Sequence, residues 1–152
     1  MLEKAMTACP DAVWSSRDKP VGEHSWHEFW YLASHTLFWY DYYLSEVPEL
    51  FAPHAPFGRE ELDPAGVLPP RVYSKQELLD YLMYCRDRCH RWLDAMTDEA
   101  VMHQRHLPNG LEFSIAELLV YVTRHVQHHV GQLNLILRQQ AAPVPRWVSQ
   151  GT

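Results

Sequence analysis

Apolar positions recur at helical spacing in three long stretches, and each stretch opens on the same polar signal. The tetrapeptides SWHE (Ser25 to Glu28), SKQE (Ser74 to Glu77) and SIAE (Ser114 to Glu117) all match S-x-x-E. In this capping box the Ser hydroxyl accepts from the backbone N–H three residues on. The Glu carboxylate reaches back to the Ser N–H, so two orphan donors of a helix start are satisfied. The first box predicts a helix over about residues 26–46 that ends before Pro48. It is aromatic on several sides, with Phe29, Trp30, Tyr31, Phe38, Trp39, Tyr42 and Tyr43, so it is a mostly buried helix. The second predicts a helix over 75–95, with Leu78, Leu82, Cys85, Cys89, Trp92 and Met96 on one face. The third predicts a helix over 115–140 that stops before Pro143. Its stripe runs Ile115, Leu118, Leu119, Val122, Val126, Val130, Leu133, Ile136 and Leu137. A shorter helix is expected near residues 2–14, reset at Pro10.

The connections complete this picture. Residues 47–73 carry six prolines (Pro48, Pro53, Pro56, Pro64, Pro69, Pro70), too many for a helix and too long a segment for a simple turn. Such a loop is functional or crosses over the fold. Residues 97–113 form a second connection with a turn signal at Pro108-Asn109-Gly110. No stretch reads as a strand. The expected fold is all-α: a four-helix bundle with one long crossover connection. The 152 residues are the usual size of one domain, so residues 1–152 are read as a single domain.

Composition narrows the function. A net charge of −6 argues against a broad basic surface for nucleic acid. No apolar run is long enough to span a membrane, and no secretory signal stands at the N-terminus. Three cysteines do not build a disulfide framework and suit a reducing cytoplasm. Ten histidines, six tryptophans and eight tyrosines are unusual for this length, and imidazole is a common transition-metal ligand.

Three of those histidines stand in TRHVQHHVGQL (Thr123 to Leu133). Continuing the stripe at 100° per residue places His125 and His129 on the core face, one turn apart. That spacing lets two imidazoles reach one ion. His128, three residues from His125, is the competing partner. The alternative is a pair of core-edge histidines held by hydrogen bonds; buried without partners they would cost about 1–3 kcal/mol each. Val126 stands where a zincin motif has glutamate, so no general base adjoins the pair. A third ligand from a facing helix is needed, and His35 is the candidate. His27 lies two turns earlier, about 12 Å along the axis, too far to share one mononuclear site with His35.

Taken together these segments resemble the DinB-like (DinB/YfiT-like) metalloenzyme family. SWHEFWYLASHTLFWYDYYL resembles the family's second helix, YSKQELLDYLMYCRDRCHRWLDAMTDE its third, and RHVQHHVGQL its last-helix signature H-x-x-x-H-x-G-Q. The position of that signature before Gly131-Gln132 selects His129 over His128, and the triad implied is His35, His125 and His129. The resemblance implies a four-helix bundle with a metal, zinc or nickel in character, at one end. It also implies chemistry of the kind found in thiol-dependent S-transferases and a mycothiol-dependent maleylpyruvate isomerase, with a small-molecule substrate such as a low-molecular-weight thiol. Relatives often form homodimers. One position departs: Val130 stands where a basic residue often precedes Gly-Gln, and the N-terminal helix is short.

The expected function is therefore metal binding, with the metal activating a small thiol or water. A metal-dependent hydrolase and a non-catalytic, metal-stabilised binding protein are the alternatives. A metal-free bundle holding an apolar ligand among its aromatics is a further one. Other residues carry bounded expectations. Gly131 is read as a close-packing position and Gln132 as a supporting hydrogen-bond partner. Trp39 and Tyr42, on the His35 face, either pack in the core or line the metal pocket, where a Tyr hydroxyl can relay a proton. Asp41 is the only acid expected to matter. Cys85 and Cys89 are read as small buried hydrophobes rather than zinc ligands. His103 and His106 are read as surface residues, and His24, His54 and His90 show no partner pattern.

Overall fold

Two of the three capping boxes form as the sequence dictates. In the computed structural model, which describes residues 1–15, 28–108 and 110–149, Ser74 and Glu77 bond reciprocally at the start of a helix, as do Ser114 and Glu117. The helices that follow run over Lys75–Asp94 and Ile115–Gln139. Near the N-terminus Pro10 breaks the chain into α1 (Leu2–Ala8) and α2 (Asp11–Trp14), and itself caps the second.

The aromatic helix, α3, is Phe29–Tyr43, shorter than expected at both ends. Its N-cap is Glu28, whose carboxylate accepts from the Trp30 indole N–H. Ser25 of the expected first box, with His24 and His27, lies outside the described residues. The helix stops at Tyr43, where the Leu44 N–H closes on Tyr40 and Tyr42; Pro48 then opens a 3-10 turn (Pro48–Leu50). Every residue of α3 except Trp39 and Tyr40 is buried. Helix α4 is Lys75–Asp94, α5 is the single turn Asp98–Val101, and α6 is Ile115–Gln139.

The second connection holds an unexpected element. Gln104–His106 (β1) pairs antiparallel with Glu112–Ser114 (β2), Arg105 opposite Phe113. Three-residue strands are too short to show an alternating pattern, so only the turn between them was visible in the sequence. The turn is closed by Leu107 and Leu111 and uses Gly110 at φ +83, a left-handed conformation that favours glycine.

The fold is thus mostly helical, with one small sheet. Helix α3 packs against α4 and α6, and α1 packs against the same two. The core forms two apolar clusters. One joins Met6, Phe29, Leu32, Leu78, Val130 and Leu133; the other joins Phe38, Tyr42, Phe51, Leu118 and Val122. On α6, His125 and His129 fall between Val122 of the second cluster and Val130 of the first. On α3, His35 stands just before the same change of cluster, between Leu37 and Phe38. The histidines therefore occupy the seam of the core. Among the described residues no helix is long and apolar enough to cross a membrane.

Candidate metal centre

His35 from α3 meets His125 and His129 from α6. The ring centroids are 5.6 Å apart for His35–His125, 4.9 Å for His35–His129 and 4.5 Å for His125–His129. One ligand atom from each of the three lies within 4.8 Å of the others, a group that can hold a metal ion. His128 packs its ring 5.0 Å from His129 but is exposed and stands outside this group. The i,i+4 spacing on the core face thus brings together the pair the sequence pointed to.

Two of the three imidazoles have a fixed tautomer. His35 Nδ1 donates to Glu61 Oε2 at 2.8 Å, and His129 Nδ1 donates to Gln132 Oε1 at 2.6 Å. In each ring Nε2 then carries the lone pair that a metal needs. Gln132 has the supporting role expected of it. The third ring supplies the test of fit: His125 Nδ1 is buried with no hydrogen-bond partner among the described residues. Leaving such a group unsatisfied costs about 1–3 kcal/mol, and a buried imidazole beside two others is relieved by a shared ion. Three neutral nitrogens suit a borderline transition metal such as zinc or nickel.

The electrostatics favour the ligating form. Burial, followed by the neighbouring imidazoles His129, His35 and His128, pushes His125 down to about 4. Burial also lowers His129, against the opposing pull of its bond to Gln132. Both are neutral near pH 7, as ligands must be. Burial alone would raise the Glu61 carboxyl, but bonds and charge from His35, with bonds from Tyr31 and Trp39, outweigh it and hold Glu61 below its usual range.

Glu61 corrects the expectation that Asp41 would be the acid to watch. It comes from the crossover, in the 3-10 turn Glu60–Leu62. It also accepts from the Trp39 indole at 3.1 Å, and its side chain is 11% exposed, as is that of His35. Asp41 is instead buried against α4: Tyr81 donates to it at 2.9 Å and Arg88 pairs with its other oxygen. The length and proline content of the crossover signalled a functional loop. Nothing in the run of acids Glu60, Glu61 and Asp63 singled out which carboxylate would turn inward.

A cleft of about 410 Å³ opens onto His35 and His125. Tyr31, Trp39, Tyr43 and Tyr121 wall it on the helix side; Glu60, Glu61, Asp63, Gly66, Val67 and Leu68 wall it from the crossover. Trp39 therefore lines the pocket, whereas Tyr42 packs in the core with its ring 5.4 Å from Phe51. The hydroxyl near the site belongs to Tyr43, 3.3 Å from that of Tyr121. Tyr43 and Tyr121 were not visible in the sequence as site residues, because neither belongs to a motif.

The remaining expectations divide. Cys85 is buried in the core and burial pushes its thiol up; Cys89 packs on the second cluster, and neither joins a metal-capable group among the described residues. His103, His106, His54 and His90 are exposed, with His106 Nδ1 2.9 Å from Glu112 and His54 stacked on Tyr84. Gly131 does not serve close packing: a Cβ there would meet nothing within 4 Å. It faces outward, on the side of α6 away from the apolar stripe.

No curated protein matches this sequence. A sequence model of the DinB superfamily matches residues 1–133, a span that takes in α3, the crossover, all three histidines and Gln132. The chain therefore belongs to the DinB superfamily.

Proposed function

We propose that this protein is a metal-dependent enzyme acting on small molecules, in which His35, His125 and His129 hold a divalent transition metal, zinc or nickel, and a low-molecular-weight thiol is activated for transfer to an acceptor. The observation that carries this reading is the convergence of three imidazoles from two helices beside a cleft that His35 and His125 line. When bound, the metal supplies the Lewis acidity that lowers the pKa of a thiol or a water. The chain's own residues do the rest. Glu61 orients His35 and Gln132 orients His129. Trp39, Val67 and Leu68 give the cleft an apolar part of its wall. The paired hydroxyls of Tyr43 and Tyr121 stand where a proton can be held or passed. We assign the superfamily's four-helix bundle to α1, α3, α4 and α6, with residues 47–73 as its long crossover; their mutual packing supports this.

Metal-dependent hydrolysis is a second reading, drawn from Glu60 and Asp63, two acids in the same cleft that could serve a water nucleophile. The deciding experiment is elemental analysis of protein purified without chelating resin, for wild type and for His35→Ala, His125→Ala, His129→Ala and His128→Ala. Near-stoichiometric metal, lost in the first three variants and kept in the fourth, is the expected result. A wild type that binds neither zinc nor nickel after reconstitution would overturn the metal site. Metal-loaded protein that transfers no thiol to electrophilic acceptors, yet hydrolyses esters or amides, would favour the second reading. A metal whose removal unfolds the protein, with no activity of either kind, would mark a metal-stabilised binding protein.

A further inference from the structure

We infer that the cleft selects a thiol carrying a positively charged amine, with Glu60 and Asp63 as the partners of the ammonium group. This rests on the thiol reading above and adds the class of thiol to it. The crossover places three carboxylates, Glu60, Glu61 and Asp63, on the wall of the cleft, and among the described residues no Lys or Arg lines it. Arg59, next to them in sequence, is exposed and outside the lining. Glu61 is committed to His35 and Trp39. Glu60 and Asp63 enter no salt bridge among the described residues, and the Asp63 carboxylate accepts from the backbone N–H of Ala65.

The opposite wall adds to the same preference. Tyr31, Trp39, Tyr43 and Tyr121 offer aromatic rings to the cleft, and ring faces attract cations. His35 and His125 line this space together with Glu60 and Asp63. A small molecule with sulfur at one end and an ammonium at the other meets complementary groups at both. A thiol ending in a carboxylate or phosphate would place like charge against Glu60 and Asp63.

The test uses cobalt-substituted protein and three thiols of similar size: cysteamine, 2-mercaptoethanol and 3-mercaptopropionate. Dissociation constants are read from the sulfur-to-cobalt absorption. The three thiols differ in acidity, so the cysteamine-to-mercaptopropionate ratio is compared between wild type and the Glu60→Gln/Asp63→Asn double variant at one pH. Metal content and circular dichroism establish that the variant is folded and loaded. The wild-type ratio should favour cysteamine by roughly five- to tenfold more than the variant's ratio, the size expected for two charges on the cleft wall. In wild type that excess should shrink in about 0.5 M salt. A ratio identical in the two proteins, or indifferent to salt in wild type, would overturn the inference while a 2-mercaptoethanol signal leaves the thiol reading standing. If no thiol perturbs the cobalt spectrum, the thiol reading itself fails and the inference falls with it.

Discussion

His35 Nδ1 and Glu61 Oε2 stand 2.8 Å apart, which fastens a candidate ligand on the central helix to the long crossover. A carboxylate behind a metal-bound imidazole fixes its tautomer and strengthens it as a ligand. Glu61→Ala should therefore weaken metal binding by about 10–100-fold, whereas Glu61→Gln, which keeps an acceptor oxygen, should lose less. Competition against a chelator of known affinity measures both. Equal affinity in wild type and Glu61→Ala would show that the bond does not support the ligand.

The metal-free protein should lose stability as pH falls. An unfolded histidine titrates near 6.5, while burial holds His125 down to about 4 in the fold. Above pH 6.5 both states are neutral and the group contributes nothing. Between about 6.5 and 4 the unfolded chain binds the proton and the native one does not, so stability drops, and below 4 the loss levels off. The full loss for His125 is up to about 3 kcal/mol. His129 shifts the same way, and the lowered Glu61 adds a loss of the same sign below the usual carboxylate range. Urea unfolding of chelator-treated protein at pH 7, 5.5 and 4.5 should show the decline, and His125→Leu should flatten it.

Gly131→Ala should stabilise the isolated chain by about 0.5–1 kcal/mol, because alanine lowers the entropy cost of a helix interior. The new Cβ has open space around it. A shift to higher urea midpoint checks this. Destabilisation would mean that another molecule lies against this face of α6 in solution.

Arg88→Ala should destabilise the fold by about 3–5 kcal/mol without loss of metal, since it leaves the buried Asp41 carboxylate without its ion partner. Tyr81, donating to the other Asp41 oxygen at 2.9 Å, holds part of that environment together. Thermal melts and elemental analysis on the same samples separate the two effects. Metal loss at unchanged stability would place Asp41 in the site after all.

Much of this arrangement was legible in the chain because it is local. Ser74–Glu77 and Ser114–Glu117 specify helix starts within four residues, and 3.6-residue periodicity puts His125 and His129 on one face. His35 was reachable because a candidate third ligand was sought on a buried facing helix. Glu61, Tyr43 and Tyr121 were not reachable. Their roles depend on how residues 47–73 cross the helices and how α3 meets α6, contacts between residues far apart in sequence. Gly131 failed for the opposite reason: a local motif suggested close packing, and the tertiary contacts left that face of α6 uncovered.

If His35 holds a metal as proposed, its bond to Glu61 makes the crossover and the metal a linked pair. If the ion favours the crossover in place, then the crossover in place favours the ion by the same factor, since a coupling free energy has no direction. Loading the protein should thus slow proteolysis within residues 47–73, and a single nick there should read out, at a distance in sequence, as a leakier metal site. On that proposal the loop is less a connection between helices than a latch whose closure follows metal availability.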